Sequence, residues 1–129
     1  MTTSLYEAIG GDAVVQRIVA RFYDVMDTDP AAATVRAMHP PDLSVSRERL
    51  YWFLSGWMGG PQLFFEKRGH PMLRARHLPF VIDDSARDAW MSCMRAALEA
   101  EVPDPNLRIV AEGALERLAT HMINRPSPT

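Results

Sequence analysis

A chain of 129 residues with 47% hydrophobic content is long enough to bury a core and too short for two, so one domain over residues 1–129 is expected, with short tails at 1–4 and 125–129. With 14 basic against 16 acidic residues, a formal net charge of -2 and no basic run, neither nucleic acid nor an anionic membrane surface is an expected partner. The lone cysteine, Cys93, forms no internal disulfide, no apolar run approaches membrane-spanning length and the first residues lack a secretion signal, so a cytoplasmic location is expected. Cys93, within Met91-Ser92-Cys93-Met94, reads as a buried small hydrophobe rather than a nucleophile.

Leu5 to Ile9 is expected to form a turn or two of helix. After Gly10-Gly11, Asp12 can cap a helix over residues 12–27, whose Val14, Val15, Ile18, Val19, Phe22, Val25 and Met26 share one stripe. Asp29-Pro30 opens a short alanine-rich helix reaching about Met38, and His39-Pro40-Pro41 stops it. Leu50, Phe53, Leu54 and Trp57 mark the next helix, with Ser44 and Ser46 as candidate caps and Gly59-Gly60-Pro61 as its stop. Between Gly69 and Phe80, Pro71 suits a first helical position and Pro79 bars Leu78 from comfortable helical geometry, so a helix of about two turns ends near His77. Ser85-Ala86-Arg87-Asp88 has capping-box form and launches Ala89, Trp90, Cys93, Met94, Ala97 and Leu98 on one face. Asp104-Pro105 launches the last helix, which carries Leu107, Val110, Ala111, Ala114, Leu115, Leu118 and Met122 ahead of Pro126. No strand pattern competes, so the expected fold class is all-α.

The histidines at 70 and 77 invite a metal site, and distance decides against their sharing one. If the segment is helical, a rise of ~1.5 Å per residue sets the two about 10 Å apart, whereas nitrogen ligands sit at roughly 2 Å from a common ion. No His-Glu-x-x-His, paired cysteines or Glu-x-x-His repeat is present. A cofactor-borne metal needs only one protein ligand, because haem supplies four pyrrole nitrogens of its own. Phe22, Leu50, Phe53, Trp57, Leu73, Phe80 and Trp90 offer apolar surface for such a group, and Arg49, Arg74 and Arg76 offer cations for its carboxylates. Composition alone favours ordinary core for each aromatic and ordinary surface for each arginine. His77 therefore stays open to two readings, a haem ligand or a satisfied structural histidine.

Six ordered stretches narrow the choice: Leu5-Tyr6-Glu7-Ala8-Ile9-Gly10-Gly11, Arg21-Phe22-Tyr23-Asp24, Phe53-Leu54-Ser55-Gly56-Trp57-Met58-Gly59-Gly60-Pro61, Gly69-His70-Pro71, Arg74-Ala75-Arg76-His77-Leu78-Pro79-Phe80 and Asp88-Ala89-Trp90. Through them the chain, from about Leu5 to Asn124, resembles the group II (O-type) truncated haemoglobins. The resemblance implies a truncated globin-like two-over-two helical sandwich holding haem b (iron protoporphyrin IX), with dioxygen, NO and CO as ligands. It implies His77 as the proximal ligand of the haem iron. Tyr23 and Trp90 match distal residues whose O–H and N–H donate to a bound ligand. Ser46 matches the distal position where larger globins often carry histidine, with Leu50 one turn on, and a small side chain there leaves the access side open.

Arg49 and Arg76 resemble the propionate partners, with Arg74, Lys67 and Arg68 as lesser candidates; Phe22, Phe53, Leu73 and Phe80 are the apolar wall the resemblance implies. His70 is expected to cap or to face solvent, and His121 to meet the dipole of the last helix. His39 departs from the family, which usually has phenylalanine or tyrosine there, and is expected either to hydrogen-bond Tyr23 or the ligand or to turn outward. The implied function is reversible binding of diatomic ligands with slow dioxygen release. The alternative is a redox enzyme, peroxidase-like or oxidising nitric oxide to nitrate, supplied by an external reductase, since no reductase domain is expected here. A third reading is a globin-shaped protein without haem. The chain is expected to be a monomer or weak homodimer.

Overall fold

In the computed structural model residues 3–125 are described, and all regular structure among them is helical. Ser4 accepts the Glu7 N–H at 3.2 Å and so caps α1 (Leu5–Ile9), which Gly10 closes in left-handed backbone with φ 119°. The long α2 (Asp12–Thr28) buries Val14, Val15, Ile18, Val19, Phe22 and Met26, the expected stripe, and adds Tyr23 to it; Val25 is half-buried. The single helix expected as far as Met38 is instead a 3₁₀ turn (Pro30–Ala32) followed by α3 (Ala33–Arg36). Asp29 accepts the Ala31 N–H at 2.9 Å and sets up that tighter opening.

Neither Ser44 nor Ser46 caps α4 (Ser44–Trp57), whose N-cap position is Leu43. Asp42 does the work from outside the helix, accepting the Ser44 N–H at 2.9 Å and the Ser44 hydroxyl at 2.6 Å. Those two bonds hold its carboxyl below the usual carboxylate range. Of the α4 stripe only Leu54 is fully buried, while Leu50, Phe53 and Trp57 are half-buried against the core. After Gly59 and Gly60 comes α5 (Leu63–Arg68), which the sequence pattern did not predict because it is short, lacks a side-chain cap and opens on an unpatterned Leu63-Phe64-Phe65 run. Gly60 has its own reason to be glycine, since an added Cβ would lie 2.5 Å from the Tyr6 ring.

Helix α6 (Leu73–His77) begins two residues later than Pro71, which stands outside it; its N-cap is Met72, in left-handed backbone with φ 49°. The ring Nδ1 of His70 accepts the Met72 N–H at 3.1 Å and steadies this turn. Because only residues 73–77 are helical, the rise argument covers less than the whole span from His70 to His77. The cap of α7 (Asp84–Glu101) is Asp83, which accepts the Ala86 N–H at 2.9 Å, and Ser85 lies inside the helix rather than at its start. For α8 (Pro105–His121) the expected start is found, with Asp104 accepting the Asn106 N–H at 2.9 Å and Pro105 in the first turn. Val110 leaves the expected α8 stripe and is 60% exposed, because the helix turns Ala111 and Leu115 inward instead. α8 ends at His121; Pro126, the stop expected for it, lies with residues 1–2 and 126–129 of the expected tails outside the described residues.

The most extensive packing is between α2 and α7, with α8 on α7 and α4 on α2, giving the two-over-two sandwich. Phe22, Ile18, Met26, Leu54, Met91, Met94 and Leu98 are among the largest of the fully buried side chains, and Cys93 is buried with them. Each such apolar side chain contributes about 1.5–3 kcal/mol by burial. Glu101 at the end of α7 pairs with Arg17 at 3.1 Å and Arg21 at 3.4 Å, tying the two central helices together at the rim. In contrast, α6 buries no residue and packs extensively against no other helix. No helix among the described residues is long and apolar enough to cross a membrane.

Candidate functional site

Rings from three parts of the chain meet where α2, α7 and the end of α3 converge. Phe22 contacts Tyr23 edge-on at 4.9 Å and Trp90 at 5.1 Å, and Tyr23 in turn meets the His39 ring at 5.8 Å and 79°. Tyr23 is buried, and its hydroxyl donates to the Ser46 carbonyl at 3.3 Å. Burial pushes this phenol far above the ordinary tyrosine range, with the Arg47 charge only partly opposing, so it is held neutral as a donor. His39 neither bonds Tyr23 nor turns outward: the ring Nδ1 donates to the Val35 carbonyl at 2.9 Å, and the half-buried ring faces Tyr23. A carbonyl can only accept, so the proton is on Nδ1 and Nε2 keeps its lone pair. Burial lowers the proton affinity of His39, the Val35 bond raises it, and the charges of Arg36 and His77 lower it further. The same aromatic cluster therefore lies within the electrostatic reach of His77.

His77 is the last residue of α6 and is half-buried. Its Nδ1 donates to the Leu73 carbonyl one turn back at 2.6 Å, which fixes the tautomer and leaves Nε2 as the lone-pair nitrogen. The backbone beyond it is held from far away. Asn124 donates through Nδ2 to the carbonyls of His77 at 3.0 Å and Phe80 at 2.9 Å, and its Oδ1 accepts the Ile82 N–H at 3.0 Å. No pattern in the sequence pointed to Asn124, since its partners are more than forty residues distant. Arg74 is engaged in the same place, its Nη1 donating to the carbonyls of His121 at 2.6 Å and Ile123 at 3.0 Å.

Around these groups the apolar candidates divide. Leu50 and Phe53 of α4 and Leu73 of α6 are half-buried, whereas Phe80 is 40% exposed and Leu78 50%. Arg49 is exposed and makes no hydrogen bond or ion pair among the described residues. Arg76 is exposed too, its guanidinium stacked 5.4 Å from the Phe64 ring centre, and Lys67 lies at the same distance from the Trp52 ring. The Trp90 indole N–H has no hydrogen-bond partner among the described residues. No group of three His, Cys, Asp or Glu side chains among the described residues can hold a metal ion. The open groove lined by Met26, Asp29, Ala33, Arg36, His39 and Pro41 touches this cluster only at His39; neither Tyr23, His77 nor Trp90 lines it.

Residues 4–124 match the family model of the bacterial-like globins. The chain is a bacterial-like globin. Within that family it is a group II truncated haemoglobin, as its motifs imply. It is 39% identical over 120 residues to the group 2 truncated haemoglobin YjbI of Bacillus subtilis, covering 93% of this chain and 88% of that one. The cold-adapted truncated haemoglobin of the Antarctic marine bacterium Pseudoalteromonas haloplanktis superposes with a TM-score of 0.93 at 49% identity, covering 95% of this chain and 99% of that one. The group II two-on-two haemoglobin of the plant pathogen Agrobacterium tumefaciens gives 0.93 at 48% identity, over 98% and 97% of the two chains. Membership of this globin family carries haem binding and the binding of diatomic gases such as oxygen.

Proposed function

We propose that this globin holds haem b with His77 as its axial ligand and binds dioxygen and other diatomic ligands reversibly, Tyr23 and Trp90 acting as distal donors. The observation that carries the reading is the 2.6 Å bond from His77 Nδ1 to the Leu73 carbonyl, which leaves Nε2 as the oriented nitrogen available to a metal. The remaining residues fit the group. Leu50, Phe53 and Leu73 present apolar surface that the protein only half covers, and Arg49, which makes no ion pair among the described residues, is a cation suited to a propionate. Arg76, already stacked on Phe64, can reach a carboxylate with its outer N–H groups. Haem, when bound, supplies the iron at which a diatomic gas binds. Tyr23 offers a neutral hydroxyl, and Trp90 an indole N–H with no acceptor among the described residues, to the charge that such a ligand draws from the iron.

Absorption spectra of the ferric, ferrous and carbon monoxide forms test the assignment, recorded for the parent and for His77→Gly with and without added imidazole. The expected result is a histidine-ligated ferrous spectrum in the parent, its loss in the variant and its return with imidazole. A variant that keeps the parent spectrum without imidazole would overturn the assignment.

A further inference from the structure

We propose that the chain beyond α8 is a clamp that aims the His77 ring, with Asn124 as the positioning residue and Arg74 as its brace; the inference rests on His77 being the axial ligand. Helix α6 is five residues long, buries none of them and packs extensively against no neighbouring helix. Something other than packing must fix its end. The last carbonyls of a helix have no partners within it, and at His77 that carbonyl accepts from the Phe80 N–H at 3.0 Å and from Asn124 Nδ2 at 3.0 Å. The same Nδ2 reaches the Phe80 carbonyl at 2.9 Å, while Oδ1 takes the Ile82 N–H at 3.0 Å. The backbone N–H groups of Asn124 and Arg125 both donate to the Ile82 carbonyl, at 2.9 Å and 3.1 Å.

One carboxamide thus templates the turn that leaves the ligand histidine. Arg74, one turn back on α6, adds a second attachment by donating to the carbonyls of His121 and Ile123, groups that the end of α8 leaves free. The ring of His77 consequently has two determinants. Its bond to Leu73 sets tautomer and rotation about the side chain, and the clamp sets the backbone on which the ring rides. The chemistry demands asparagine: aspartate keeps the acceptor for Ile82 but sets a charged oxygen against two carbonyls, and leucine keeps only the shape. Outer partners of a metal ligand typically matter by roughly 10–100-fold in affinity when removed, which distinguishes such a clamp from a merely structural bond.

The test uses the haem-loaded full chain, comparing the parent with Asn124→Asp, Asn124→Leu and Arg74→Met. Three quantities are read: the iron–histidine stretching band of the ferrous protein by resonance Raman, the rate of haem transfer to an excess of apomyoglobin, and amide hydrogen exchange at Phe80 and Ile82. The expected result is a shifted or broadened band, haem loss faster by roughly tenfold, and lost protection at Ile82 in both Asn124 variants. Arg74→Met, which leaves the Asn124 carboxamide intact, is expected to give a smaller change of the same sign and serves if the Asn124 variants fail to load. Variants that lower only the melting temperature, with band and haem loss unchanged, would overturn the clamp. If the band vanishes in His77→Gly yet stays unmoved in the Asn124 variants, the clamp alone falls; if it persists in His77→Gly, the axial reading falls first.

Discussion

Tyr23 and His39 face each other in a buried corner, and their proton chemistry sets what the corner can do. Tyr23 is held neutral by burial and spends its hydrogen on the Ser46 carbonyl over a long 3.3 Å, a bond worth no more than about 1 kcal/mol. Redirecting that hydroxyl to a bound ligand therefore costs little. Donation to a ligand carrying charge is worth about 1.5–3 kcal/mol, so Tyr23→Phe and Trp90→Phe are each expected to speed dioxygen release by roughly 10–100-fold, measured by stopped-flow displacement; unchanged rates would remove both from the distal side. His39 is a separate matter of sign. Its folded-state proton affinity is lowered, chiefly by burial, so between the folded value and about 6.5 the unfolded chain binds the extra proton. Its contribution is constant above the unfolded value and is lost as the pH falls through that window. Urea midpoints of the haem-free parent are expected to drop more steeply from pH 7.5 to 5.5 than those of His39→Phe, and parallel curves would refute this. The sequence could place a histidine here but not orient it, because the Val35 carbonyl that turns the ring is a backbone group available to any residue at that position.

At the scale of elements, caps and stops show where local chemistry decides and where it is ambiguous. The amide at the start of α7 is served by Asp83, although Ser85-Ala86-Arg87-Asp88 carries the capping-box form, because two aspartates immediately before it provide an earlier and equally good acceptor. Asp83→Ala is expected to cost ~1 kcal/mol of stability and Ser85→Ala a few tenths at most, compared by thermal or urea unfolding; the reverse order would restore the serine as cap. At α4 the ambiguity is the same, with Asp42 supplanting both serines. Gly60 illustrates a constraint that the stop signal Gly59-Gly60-Pro61 conceals. Any Cβ there would press into the Tyr6 ring, so Gly60→Ala is expected to lose about 1–3 kcal/mol, seen as an earlier urea midpoint. The four long helices were legible because their apolar stripes run for three turns or more, while α5 and the start of α6 were not, being too short for a period to emerge. Val110 fell on the predicted stripe by spacing alone; the orientation of α8 against α7 is a tertiary fact that spacing does not carry.

The whole molecule is unevenly built. Helices α2, α7 and α8 share the densest core, with Phe22, Met94, Leu98 and Leu115 fully buried, whereas residues 69–82 hold one short helix without a buried residue and expose Met72, Leu78, Phe80 and Val81. The core was readable from the sequence since each stripe predicts its own buried face. The attachment of residues 73–82 was not, since it depends on Asn124 and Arg74 meeting backbone groups 42 to 49 residues away. This imbalance predicts how the protein responds to its cofactor. A ligand that binds only the folded state stabilises by RT ln(1 + [L]/Kd), about 4.1 kcal/mol at a thousandfold excess over Kd, and the gain is spread according to where the ligand adds contacts. In the haem-free protein, amides of α2 and α7 are expected to exchange only with global unfolding, while those of Leu73 to Ile82 exchange through local opening because so few apolar contacts hold them. Loading with haem should slow exchange in residues 73–82 far more than in the core, since the proposed site sets it against the half-buried Leu50, Phe53 and Leu73. Equal protection of both regions on loading, or protection confined to the core, would place the cofactor elsewhere and remove α6 from its binding site.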